Sequence, residues 1–200
     1  MQFTQVKADT FETLQLNAGI IVDEFTPSTG LIGNILGATT GGLTFATNPN
    51  YADFGEDIDN CPANTWQLKR ILSYDPSASG TFLSMTAELA KSLNGAGDYG
   101  TTGSGQSATT DTTHVIPSHT LTEDDFEDVW VIGDYSDKNE GATAGYVAVH
   151  IKNALNTAGF QWTTSKDGKG QFAFEYHGHY DYEDIDDVPF EIYVKAGTAS

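Results

Sequence analysis

The sequence predicts a mainly β protein, a β-sandwich or half-barrel with one short flanking α-helix and long loops. Three observations carry this expectation. Short stretches of alternating apolar and polar residues recur between turn signals, at the spacing usual for sandwiches and barrels. Glycine (21 residues) and threonine are abundant while the hydrophobic share is 38%, which favours strands joined by many turns. Only one segment has a helical period. With 200 residues, a single domain spanning 1–200 is expected.

The first periodic stretch is LQLNAGIIVDEF, Leu14 to Phe25, read as a strand or strand pair. Pro27 to Gly30 is a turn, because proline and glycine both punctuate regular structure. Leu31 to Leu36 is a short apolar segment leading into GATTGG at Gly37 to Gly42, read as flexible. A strand comes next, with Leu43, Phe45 and Thr47 facing one way and Thr44, Ala46 and Asn48 the other. Pro49 either stops pairing there or marks a sheet edge. Tyr51 to Asn64 is an acidic, turn-rich loop. Gln67 to Tyr74 and Gly80 to Met85 are expected as two strands of a hairpin around a turn at Asp75 to Ser79.

TAELAKSL, Thr86 to Leu93, is the helix. Thr86 can cap it, Glu88 sits in the first turn, and Leu89 with Leu93 forms a one-sided apolar stripe ended by Asn94-Gly95. Residues 95–113 contain almost nothing that can be buried and are expected as a flexible insertion within the domain. Strands are then expected at Val129 to Ile132, Gly145 to Ile151, Gly159 to Ser165, Gly170 to Tyr180 and Val188 to Lys195, with a short helical turn at Lys152 to Ala158. Trp66, Trp130 and Trp162 are expected in the core.

The charge bounds the function. There are 28 acidic and 9 basic residues, giving a formal charge of −19. Such a surface repels phosphate backbones and anionic membranes, so stable nucleic-acid binding is excluded as a role. DNA passing without sticking remains compatible with it. The single cysteine, Cys61, allows no intramolecular disulfide and no cysteine-based zinc site. Met1 to Thr10 is polar with no apolar run, and no stretch reaches membrane-spanning length, so a cytoplasmic site of synthesis is expected.

Motifs for chemistry are sparse. His177 and His179, two apart in a strand, could share a face and bind a transition metal; the competing reading makes them strand residues reaching a sheet edge. The two EDID segments and the TEDDFED run lack the glycine and twelfth-position glutamate of a calcium loop and read as solvated turns. Gly100 to Gly105 is glycine-rich but has neither the preceding strand nor the following helix of a phosphate loop. Cys61 lacks a neighbouring base or cation. No catalytic residue, metal or cofactor is expected.

Several blocks together resemble a known family. LQLNAGIIVDEF, GATTGGLTFATNPNYADFGEDIDNCP, LAKSLNGA, EDDFEDVWVIGDYS, GKGQFAFEYHGHY and VPFEIYVKAG are similar, in order and spacing, to segments of the major tail (tail tube) proteins of siphophages and prophages. The similarity runs from Phe11 to Gly197 and breaks only at the Gly/Ser/Thr loop. The resemblance implies a virion tail protein, assembled in the host cytoplasm, without catalytic residues. Six copies would form a ring that lends strands to a continuous barrel, and rings would stack into a hollow tube. Its partners would be itself, the tape measure protein and the tail terminator and tip proteins, with DNA passing through the lumen without stable binding and with no membrane. Residues 39–57 and 95–113 are the expected inter-subunit or stacking segments, with Phe45, Tyr51, Phe54 and Asp57 as contacts in the first. A carbohydrate-binding or adhesin-like β-sandwich is the alternative, for which Tyr176, Tyr180 and Tyr182 would be the exposed aromatics.

Overall fold

The computed structural model describes residues 14–15, 17–100, 113–134 and 145–196. Among them the chain forms twelve strands and one α-helix: β1 (Ile20–Val22), β2 (Phe25–Thr26), β3 (Leu31–Ile32), β4 (Thr39–Asp53), β5 (Lys69–Phe82), α1 (Ala87–Asn94), β6 (Gly97–Gly100), β7 (His114–Pro117), β8 (Glu127–Asp134), β9 (Tyr146–Asn156), β10 (Gln161–Thr163), β11 (Gln171–His177) and β12 (Phe190–Lys195). The fold is therefore mainly β and sandwich-like, with one helix.

Eight strands belong to one sheet in the order β1-β8-β9-β11-β5-β4, with β12 pairing β9 and β10 pairing β11. It works as two halves. The first is β1-β8-β9-β12, the second β10-β11-β5-β4, and only the end of β9 joins them, through Leu155 and Asn156 against His177 and Tyr176. All pairings are antiparallel, and β2-β3 and β6-β7 are separate hairpins.

Period-two alternation decides the layers. Ile21, Val129, Val149 and Ile151 of the first half meet Ala78, Phe82, Phe174 and Tyr176 of the second, and Leu89 and Leu93 of α1 close the same core. Phe82 stacks on Phe174 with ring centroids 4.3 Å apart. The opposite face of the first half has its own cluster of Val22, Trp130, Ile132, Tyr146 and Ala148, covered by Phe25 from the β2–β3 hairpin. The first half is apolar on both faces, whereas the second is apolar on one.

The helix matches the expectation from sequence. The Thr86 hydroxyl accepts from the Leu89 amide at 3.1 Å, and Gly95 ends the helix at φ +84°. At its C-terminal end lies Asn156, a buried polar residue. Its amide donates to the Leu93 carbonyl (2.6 Å) and the Gly159 carbonyl (3.2 Å), and its Oδ1 accepts from the Glu175 amide (2.8 Å).

Several expectations are corrected. Asp75 to Ser79 is not a turn, because β5 runs unbroken through Pro76. The Pro76 carbonyl accepts from Gly178 on the β11 side, so its nitrogen also faces β11, which has already ended at His177. The missing N–H removes no ladder bond. Lys152 to Asn156 continues β9 rather than forming a helical turn, since its backbone is held between β8 and the end of β11. GATTGG enters β4, where the pairing jumps from Thr40–Thr81 to Thr44–Ser79. Gly41 and Gly42, at φ +78° and +84°, absorb the extra residues. Gly97 to Gly100 pairs with β7, so the expected insertion begins with a strand; most of the rest of 95–113 lies outside the described residues.

Asn156→Ala strands the Leu93 carbonyl and the Glu175 amide, and unfolding by denaturant should show a loss of roughly 1–3 kcal/mol for each orphaned group. Phe174→Ala should lower stability by about 3–5 kcal/mol through the cavity opened against Phe82.

Candidate assembly surface

Strands β4 and β5 form a long antiparallel ribbon, and much of it leaves the body of the molecule. Its inner part is anchored by Ala78 in the core and by Phe45 and Tyr74, whose rings meet Phe190 of β12 at 5.9 and 5.4 Å. The Tyr74 amide donates to the Tyr180 hydroxyl at 2.8 Å. Beyond Tyr74, Lys69 to Ser73 pair only with β4, so the ribbon projects by roughly 15 Å at strand spacing, with the 54–68 loop at its tip.

The tip is pinned rather than loose. The Asp53 carboxylate accepts from the Gly55 amide (3.0 Å) and the Asn64 amide (2.8 Å), closing the neck of the loop. These bonds, with Lys69 nearby, hold its pKa below the ordinary carboxylate value. Lys69 Nζ donates to Asn64 Oδ1 at 2.7 Å. Ser73 pairs with Asn50 and Ile71 with Tyr51, leaving Leu72 as the extra residue of a β-bulge.

The result is an apolar, exposed end. Tyr51, Phe54, Ile58, Ile71 and Leu72 are exposed, and Trp66 is 78% exposed. Of the predicted contacts, Tyr51, Phe54 and Asp57 therefore stand together on this projection, while Phe45 belongs to the anchored part, half-buried against the core. Trp66 and Trp162 are not core residues as expected; only Trp130 is buried. Trp66 sits on a short turn at the tip and Trp162 on the outer strand β10, where no second layer covers them. Trp66, Ile71 and Leu72 were missed as surface residues, because their local pattern is that of a buried strand.

The other face of the second half is polar. Thr44, Asn48 and Asn50 of β4, Ser73, Ser77 and Ser79 of β5, and Glu175 and His177 of β11 lie opposite the core face. His177 is held between two carboxylates, Nδ1 to Asp75 at 2.7 Å and Nε2 to Glu175 at 3.3 Å. His179 lies beyond the end of β11, with Nδ1 at 3.0 Å from the Asn153 carbonyl and its ring against Phe126. The two imidazoles have separate partners, and no cluster of three metal-ligating side chains occurs among the described residues.

A second charged row crosses the first half. His150 stacks on Trp130 (4.1 Å, 5°) and bonds to Asp128 at 2.9 Å, and Asp128 also accepts from the Asn153 amide at 3.1 Å. The His150 bond is the main reason that the Asp128 pKa is held low. Lys152 bridges Asp187 (2.9 Å) and Glu191 (2.8 Å). Its hydrogen bond lowers the Glu191 pKa, helped by the Tyr193 hydroxyl. For Lys152, desolvation is outweighed by the two carboxylates, which raise its pKa. These contacts tie β8, β9 and β12 together.

The tyrosines of the carbohydrate-binding alternative do not form one platform. Tyr176 is buried, with its hydroxyl 2.8 Å from Ser92 Oγ, Tyr180 bonds the Tyr74 amide, and Tyr182 alone of the three is largely uncovered. No protein-family model matches the chain, and comparison with curated proteins finds no relative. No helix among the described residues is long and apolar enough to cross a membrane.

Because Asp128 and Glu191 have folded-state pKa values below their unfolded ones, their contribution is present above the unfolded values near 4 and is lost as pH falls through the folded values. Acid titration monitored by circular dichroism should show this loss, and Asp128→Asn should flatten the slope below about pH 4.

Proposed function

We infer that this chain is the subunit of a self-assembling tube of the kind implied by its resemblance to siphophage major tail proteins. The observation that carries the reading is the projecting end of the β4–β5 ribbon. Six large apolar side chains are held out from the body on a pinned scaffold, a surface that is a liability for a solitary molecule and an asset for one that meets its own copies.

The sheet edges support the same reading. At one end of the strand order, β4 pairs on one side only among the described residues, and β12 adds another edge on which Ile192 and Val194 are exposed, whereas the outer side of β1 is already bonded to residues 34–36. Free edges invite pairing, and closure of several copies into one barrel removes them. A heterologous contact of this type generates rings when the rotation closes and a stack when it does not. The charge of −19 and the polar face with Asp75 and Glu175 suit a wall that DNA passes without being held. By resemblance, the tape measure, terminator and tip proteins would be its further partners, in the virion tail.

The carbohydrate-binding alternative retains one feature, Trp162 lying nearly parallel to Phe172 at 6.1 Å and 63% exposed. A binding module of that kind has no reason to polymerise.

Light scattering and negative-stain electron microscopy over a concentration series decide between them. Rings or hollow tubes should appear as concentration rises; a monomer at every concentration sinks the tube reading. Tyr51→Ser with Leu72→Ser should abolish assembly while changing monomer stability by no more than about 1 kcal/mol, because both side chains are exposed.

A further inference from the structure

The projecting ribbon has a chemical counterpart at the other end of the same molecule. The chain contains a single arginine, Arg70, next to Lys69, and they are its only adjacent pair of basic residues. Arg70 stands at the start of β5, two residues before the exposed Leu72 and four after the exposed Trp66. Its Nη1 donates to the Gln67 and Lys69 carbonyls, each at 2.8 Å, and it makes no ion pair among the described residues. A planar guanidinium with donors to spare is the group best suited to bidentate carboxylate recognition at an interface.

At the Phe82 end of β5, a groove of about 480 Å³ opens between α1, the segment after β3 and the start of β8. Its apolar floor includes Ile35, which is 54% exposed, with Leu36 and Leu89, and its acidic side chains include Glu88 and Glu127. Neither glutamate forms an ion pair among the described residues. The other two acids are already committed, Asp23 to the Asn34 amide and side chain (2.7 and 2.9 Å) and Asp128 to His150. The one lysine lining the groove, Lys91, lies over the Tyr99 ring. Desolvation raises the Glu127 pKa despite Lys91 and a hydrogen bond from the Ser92 side chain, and Asp23 and Glu88 add to the effect, so this carboxylate would gain from a further cation.

The two features cannot meet within one molecule. They lie at opposite ends of one continuous strand, and Arg70 to Phe82 spans roughly 40 Å at the rise of extended chain. Leu89 and the Gly37 backbone lie against Phe82, which fixes the groove to the far end. A rigid ribbon with complementary ends satisfies itself only head to tail.

We propose that the Arg70 end of the β4–β5 ribbon seats in the groove beside α1 of a second copy of this chain, with the guanidinium between Glu88 and Glu127 and Leu72 covering Ile35. The proposal rests on the self-assembly reading and names its contact. It also answers an electrostatic problem. Copies carrying −19 each repel, so a specific contact needs a place where opposite charges meet, and Lys69–Arg70 against this groove provides one. Ends that differ in this way make the contact heterologous, which sets a polarity on the stack.

A charge-swap experiment on the full chain tests it. Variant one carries Arg70→Glu, and variant two carries Glu88→Lys with Glu127→Lys. Alone, each should need at least a tenfold higher concentration to assemble, by light scattering and electron microscopy. Mixed in equal amounts they should recover assembly, because glutamate tips then meet lysine grooves and arginine tips meet glutamate grooves. Arg70→Gln and Glu88→Gln, both at exposed positions, repeat the single arms with less risk to folding, and thermal melts confirm that all variants fold. If the unaltered chain assembles but the variants match it, or the mixture recovers nothing, this contact is wrong and the tube reading stands. If the unaltered chain never assembles, both fall.

Discussion

One side chain joins the parts of this molecule. Asn156 sits where the helix ends, where β9 leaves the first half of the sheet and where β11 ends its run beside β5. It serves all three, donating to the Leu93 carbonyl and accepting from the Glu175 amide. A buried amide is tolerable only when its donors and acceptor are used, and here they are used by backbone groups that the change of sheet would otherwise leave unpaired. Through it, the crossing of β9 between the two halves becomes a definite angle rather than a hinge.

That junction also sets where the core ends and the ribbon begins. Because β9 hands over to β11, the apolar faces of the two halves close on each other and on α1, around Phe82, Phe174, Ile151 and Leu93. The core is complete by Ala78. Strand β5 nevertheless continues to Lys69, and β4 continues with it. A ribbon two strands wide has nothing to bury its apolar side chains against, yet this one carries Tyr51, Ile71 and Leu72. The bulge at Leu72 and the Asp53 clasp hold it in one form. Rigidity without cover is the combination expected of a contact surface, since ordering is complete before a partner arrives.

Charge then works in two ways. Over most of the surface the acidic excess keeps copies apart and offers nothing to a phosphate backbone. Three cations have specific duties: Lys152 crosslinks β9 to β12 and to Asp187, Lys69 braces the ribbon tip, and Arg70 has only backbone acceptors among the described residues. The proposed assembly contact in so acidic a chain would therefore be confined to a few residues, which would favour specificity over adhesion in general.

What the sequence determined by itself is what local periodicity encodes. The β class comes from alternation, the helix from Thr86 and the Leu89–Leu93 stripe, and the Pro27–Gly30 turn from its own residues, because each depends on contacts a few positions apart. Tyr51, Phe54 and Asp57 were identifiable as neighbours for the same reason. Tertiary structure decided the rest. Pro76 reads as a break until the end of β11 shows that its missing N–H has no ladder bond to lose. Trp66 reads as core until the ribbon is seen to outrun the sheet that would cover it. Arg70 and the groove beside α1 are separated by strand length that periodicity does not measure. Burial, edge and reach are properties of how distant strands pair, and pairing partners leave no mark on either strand alone.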